Sequence, residues 1–166
     1  PHLAPTPPCG GVEVNEYLGT SFPNIWAAGD VALYTDPFSG RKRVGGNWSG
    51  AFMQGRTAGL NMAGEKEIFK TLSAYSISHL GLVLSVVGDV GPFDQTAGAK
   101  SKILILDKEK REYVRIFSAI GGPASGGEKD GLVVGAVMIN GQKFLGEINQ
   151  AIINKWDASG VFKKNI

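Results

Sequence analysis

One cysteine, Cys9, and two histidines, His2 and His79, are all that 166 residues offer for thiol or imidazole chemistry. A single cysteine excludes an internal disulfide and any C-x-x-C redox pair within the chain, and no metal-ligand set is assigned. Charge of one sign is also missing. Lys and Arg number 17 against 15 Asp and Glu, a net +2 with no single-sign block, which argues against a nucleic-acid partner and for a small neutral ligand or cofactor. The longest mainly apolar stretch, residues 80–90, is broken by Gly81, Ser85, Gly88 and Asp89. It falls far short of the roughly 20 residues needed to cross a bilayer, so no membrane span is expected. The opening residues lack the charged region and apolar core of a signal peptide, and a cytoplasmic location is the expectation. There is no starting methionine, and a proline-rich segment runs straight into Gly10-Gly11, which reads as an entry from the middle of a longer polypeptide.

Four prolines in the first ten positions forbid regular hydrogen bonding, so residues 1–10 read as a flexible leader. Val12-Glu13-Val14 alternates as a short strand, residues 15–20 read as a turn, and Asn24-Ile25-Trp26-Ala27-Ala28 is apolar enough for a buried strand ending at Gly29-Asp30. Residues 33–46 carry turn signals without a steady period and are expected at the surface. Residues 47–63 read as a helix, with Asn47 or Ser49 as N-cap and Gly64 as a stop. Ala51, Gly55 and Gly59 lay a stripe of very small side chains along it, which predicts close packing on that face. Past the charged run Glu65-Lys66-Glu67 the composition turns strand-like, and a domain boundary is expected near residue 65. Strands are predicted over 73–78, 81–87, 102–106, 112–118 and 132–139, with 107–111 as an exposed hairpin connection and 121–131 as a long flexible loop. Leu145, Ile148, Ile152, Ile153 and Trp156 at helical spacing predict an amphipathic helix packed on the sheet.

The segment Thr20-Ser21-Phe22-Pro23-Asn24-Ile25-Trp26-Ala27-Ala28-Gly29-Asp30 resembles the second flavin-binding motif of the FAD-dependent pyridine nucleotide-disulfide oxidoreductases. The stretch from Asn47-Trp48-Ser49-Gly50-Ala51 through Gln54-Gly55 to Asn61-Met62-Ala63-Gly64 is similar to the helix that follows in that family. Tyr75-Ser76-Ile77-Ser78-His79-Leu80-Gly81 and the strand from Gly131 to Asn140 are similar to the start and last strand of its interface domain. The last of these leans towards the nitrite- and rubredoxin-reductase branch.

The resemblance implies an α/β (α+β) chain in three parts. After the leader, residues 11–65 would be the carboxyl-terminal part of an FAD-binding domain, short strands plus a glycine-rich helix. Residues 66–166 would be an interface-type domain, a mainly antiparallel sheet with a packed carboxyl-terminal helix. Asp30 would hold the ribityl chain of FAD, Gly29 would admit it, and Trp48, Ser49, Gly50 and Ala51 would bring a helix N-terminus to the flavin. A carboxylate accepts strong hydrogen bonds from hydroxyls, and a helix N-terminus favours negative charge. The implied activity is electron transfer from NAD(P)H through FAD to an acceptor. No G-x-G-x-x-G loop occurs, so the pyrophosphate and nicotinamide sites are expected outside these residues and the isolated chain is expected to be inactive. Self-association, or pairing with the missing amino-terminal portion, is the expected partnership. His79 reads as structural rather than as a general acid.

Overall fold

The computed structural model describes residues 10–91, 99–119, 131–158 and 161. The leader through Cys9 and loop residues 121–130 lie outside the described residues. The chain forms two compact units, Pro1–Thr71 and Leu72–Ile166.

In the first unit, β1 (Val12–Glu13) runs parallel to β2 (Ala32–Thr35), and β3 (Lys42–Arg43) closes the other side of β2 antiparallel. The strand expected over residues 24–28 is not there: a single bridge joins Trp26 to Gly19. The strand follows Gly29-Asp30 instead of preceding it, within the stretch expected as surface loop. Both segments are apolar, and pairing decides between them. Ala32 and Leu33 are buried and paired with β1, and Tyr34 is buried and paired with β3, whereas Trp26, with its one bridge, Ala27 and Ala28 pack against the core outside any ladder. Residues 36–41 do form the expected connection, where the Asp36 carboxylate accepts the N–H groups of Phe38 and Ser39 at 2.9 Å each and pairs with Arg43 at 3.4 Å.

Helix α1 (Trp48–Met62) begins where Asn47 Oδ1 accepts the Gly50 N–H at 2.7 Å, an N-cap that satisfies one of the orphan donors of the first turn. Its buried face is Gln54, Thr57, Ala58 and Asn61, a spacing of three and four residues that puts one side on the sheet. The stripe expected to pack behaves differently. A Cβ built on Gly29 would meet Ala51, but one built on Gly55 or Gly59 would meet nothing within 4 Å, so that part of the face is open.

In the last turn of α1, Asn61 Nδ2 donates to the carbonyls of Tyr17 (2.8 Å) and Glu67 (2.9 Å), while its Oδ1 accepts the Glu67 N–H at 2.8 Å. Phe69 N–H then bonds Glu16 O at 2.9 Å, and its ring stands edge-on to Tyr34 at 5.4 Å. Residues 65–69 are thereby tied to the first unit, whose core is Val14, Leu18, Ala32, Tyr34, Ala58 and Phe69.

The second unit is an antiparallel sheet in the order β4 (Ala74–His79), β5 (Leu82–Gly88), β8 (Leu132–Ile139), β7 (Glu112–Ala119), β6 (Ala99–Asp107). All five predicted strands are present, within three residues at each end. Helix α2 (Leu145–Ile153) lies against β8 and β5 and buries Ile148, Ala151 and Ile152. It stops short of the predicted Trp156, which remains partly exposed, as does Ile153. One sheet face is thereby closed around Val87, Val114, Ile116, Ala136 and Met138. Together the units give the mixed α/β class that the sequence predicts.

Candidate functional site

Gly29 adopts φ 80° and opens a single 3-10 turn, Gly29–Val31, directly before β2. A positive φ is what glycine supplies here, since a Cβ would stand 3.5 Å from that of Ala51, an ordinary contact. The Gly29 N–H is buried and donates to Gln54 Oε1 at 2.7 Å. Gly29 is therefore fastened to the second turn of α1 by its bond to Gln54 and faces Ala51. Asp30 comes next and is exposed. Among the described residues its carboxylate enters no hydrogen bond or ion pair. A Cβ on Gly45 would stand 3.6 Å from Asp30 Oδ1, so the absence of a side chain at Gly45 keeps that flank of the carboxylate clear.

At the start of α1, backbone N–H groups are engaged by the cap. Gly50 N–H goes to the Asn47 cap, and Ala51 N–H bonds Asn47 O at 3.1 Å within the helix. Ser49 Oγ lies 3.3 Å from Asn47 Oδ1. The Trp48 ring stacks on Phe52 with centroids 5.7 Å apart and is 82% exposed, so it belongs to no core in this chain. What this end offers a ligand is chiefly the positive end of the helix dipole and an aromatic surface. His79 sits at the exposed end of β4. Among the described residues no group of three or more His, Cys, Asp or Glu gathers as a metal site, and no helix is long and apolar enough to cross a membrane.

No family model matches the chain. It is 29% identical to an NADH oxidase of Methanocaldococcus jannaschii, over 92% of this chain and 33% of that protein. It thus spans about a third of the length of the curated relative it matches. The structure is similar to an FAD-dependent pyridine nucleotide-disulphide oxidoreductase from Desulfovibrio vulgaris, with a TM-score of 0.63 at 18% identity over 86% of this chain and 34% of that one. It is also similar to NADH:rubredoxin oxidoreductase from Clostridium acetobutylicum, with a TM-score of 0.56 at 22% identity over 88% and 33%. The fold of this chain is thus that of about a third of each of these oxidoreductase structures.

Within this fold, the predicted site residues are brought together unevenly. Gly29 faces Ala51 across the space a Cβ would fill, Asp30 stands exposed next to Gly29, and Trp48, Ser49 and Gly50 form the capped helix end. Two residues were missed as site residues. Gln54 showed only as part of a motif, and nothing local marks an amide as the acceptor for a backbone N–H 25 positions away. Gly45 showed only as a turn residue, although the Gly45-Gly46 pair just before the N-cap was a readable sign of backbone kept bare.

Proposed function

We propose that this chain supplies part of the flavin site of an oxidoreductase that passes electrons from NADH or NADPH through FAD to an acceptor. One observation carries the reading: an exposed carboxylate with no partner among the described residues, Asp30, is held on a turn fastened to the amino-terminal half of α1. The residues fit the group. Asp30 would accept hydrogen bonds from ribityl hydroxyls, and the clear flank at Gly45 leaves room for a chain to approach. The N-terminus of α1 would favour negative charge by about 0.3–1 kcal/mol when exposed and more when buried. Bound FAD would supply the redox chemistry, taking hydride from the nicotinamide and handing electrons on. The first unit would then be the carboxyl-terminal part of an FAD-binding domain and the second an interface-type domain, with the pyrophosphate and nicotinamide sites outside this chain. Similarity to a rubredoxin oxidoreductase supports a small electron-carrier protein as acceptor.

The test is the full-length gene product with and without Asp30→Ala. Wild type should purify yellow, and loss of hydrogen bonds to a charged acceptor, about 1.5–3 kcal/mol, should weaken FAD binding roughly ten- to a hundredfold. A colourless wild type with no affinity for added FAD defeats the reading.

A second reading concerns the isolated chain as a non-catalytic interaction module. It is supported by a continuous row across all five strands of the second sheet, Ile77, Leu84, Ile139, Tyr113 and Leu106, each paired in register with the next. Ile77 is 53% and Leu106 63% exposed.

A further inference from the structure

The side chain of Gln54 is 1% exposed and spends its carbonyl oxygen on a single backbone group, the Gly29 N–H, at 2.7 Å. Burying an amide on a helix face is costly unless its hydrogen bonds are made, and an alanine or leucine would fill that face more cheaply. The reason for the amide lies in the turn. With φ at 80°, Gly29 directs its N–H towards α1, where the bond to Gln54 is buried. A buried N–H needs an acceptor, and the side chain of Gln54 is long enough to bring one across from the second turn of the helix. The next residue along the chain is Asp30.

We propose that Gln54 is a positioning residue of the Asp30 site: by holding the Gly29 N–H it fixes the Asp30 carboxylate relative to the N-terminus of α1. The inference rests on the flavin reading for the identity of the ligand, but not for the clamp itself. Neutrality is part of the design. A glutamate at position 54 would keep an acceptor oxygen but could add buried negative charge close to the carboxylate that must meet the ligand, and an asparagine would fall one methylene short.

Two measurements separate the clamp from the ligand. The first is amide hydrogen exchange on the 166-residue chain. Gln54→Met, close to isosteric but without the acceptor, should lose at least about tenfold of the protection at Gly29 while the interior amides of α1 keep theirs. Gln54→Glu, which retains an acceptor oxygen whether ionised or not, should restore it. Unchanged protection at Gly29 in Gln54→Met overturns the proposal, and collapse of the α1 amides as well would show a packing role instead.

The second is FAD affinity of the full-length protein in a cycle of Asp30→Ala, Gln54→Met and the double variant. If Gln54 acts through Asp30, Gln54→Met weakens FAD about tenfold or more in the wild-type background and has little further effect once Asp30 is gone. Losses that multiply overturn the positioning role. Absence of flavin binding in the unmutated protein defeats the flavin reading, and with it the ligand named here. That failure is visible before any variant is made and leaves the exchange result to judge the clamp alone.

Discussion

Asparagine does much of the joinery in the first unit. Asn15 accepts the N–H groups of Tyr17 and Gly19, Asn47 caps α1, and Asn61 closes three hydrogen bonds to residues 17 and 67. The last is the most demanding, because it is buried and reaches segments on both sides of the helix. Asn61→Ala would leave two carbonyls and one N–H without their partner, and stability should fall by about 2–3 kcal/mol. Urea denaturation reads this as a lower midpoint, and a midpoint equal to wild type would show that water replaces the side chain at no cost. The same residues show what a sequence displays. Asn47 and the Asn15 turn were visible because their partners lie within four positions, where capping and turn chemistry are local. Gln54 and Asn61 bond groups 25 and 44 positions away, and no local pattern announces such a pairing.

At the scale of elements, the second unit was legible almost strand for strand, since β-branched runs divided by turn residues mark each strand locally, while the order that seats β8 between β5 and β7 is set by long-range pairing that no run displays. The first was legible in its helix and misread in its strand. Short apolar segments on either side of Gly29-Asp30 look alike, and only the neighbours supplied by β1 and β3 decide which enters the ladder. The helix carries its own lesson. Three of its four buried positions, Gln54, Thr57 and Asn61, are polar, so hydrophobic periodicity could not identify the packed face, and the small-residue stripe pointed elsewhere. That stripe is testable. Gly55 has ordinary helical geometry and open space around it, so Gly55→Ala in the 166-residue chain should raise stability by about 0.5–1 kcal/mol through helix propensity. Thermal unfolding would show an increase. A decrease would mean that the face is packed against something within these residues after all.

For the whole molecule, the question is what an apolar sheet face does when α2 covers only the other side. The row from Ile77 to Leu106 leaves both edge strands, β4 and β6, with exposed isoleucine and leucine on one surface. Pairing edge to edge is discouraged at β6 by the exposed Lys100 and Lys102, the usual protection of an open edge, so association by the face is favoured over extension of the sheet. Removal of apolar surface from water contributes about 25 cal/mol per Å², and stable protein pairs bury about 1,200–2,000 Å² in total, an area that a five-stranded face is large enough to approach. The isolated chain is therefore expected to self-associate in a concentration-dependent way, seen by size-exclusion chromatography with light scattering. Ile77→Lys together with Leu106→Lys should shift it to monomer without loss of secondary structure, because both side chains already stand in water and neither supports the core. A wild type that stays monomeric at every concentration would remove the interaction-module reading. It would leave the flavin reading untouched, since that depends on Asp30 and α1 in the other unit.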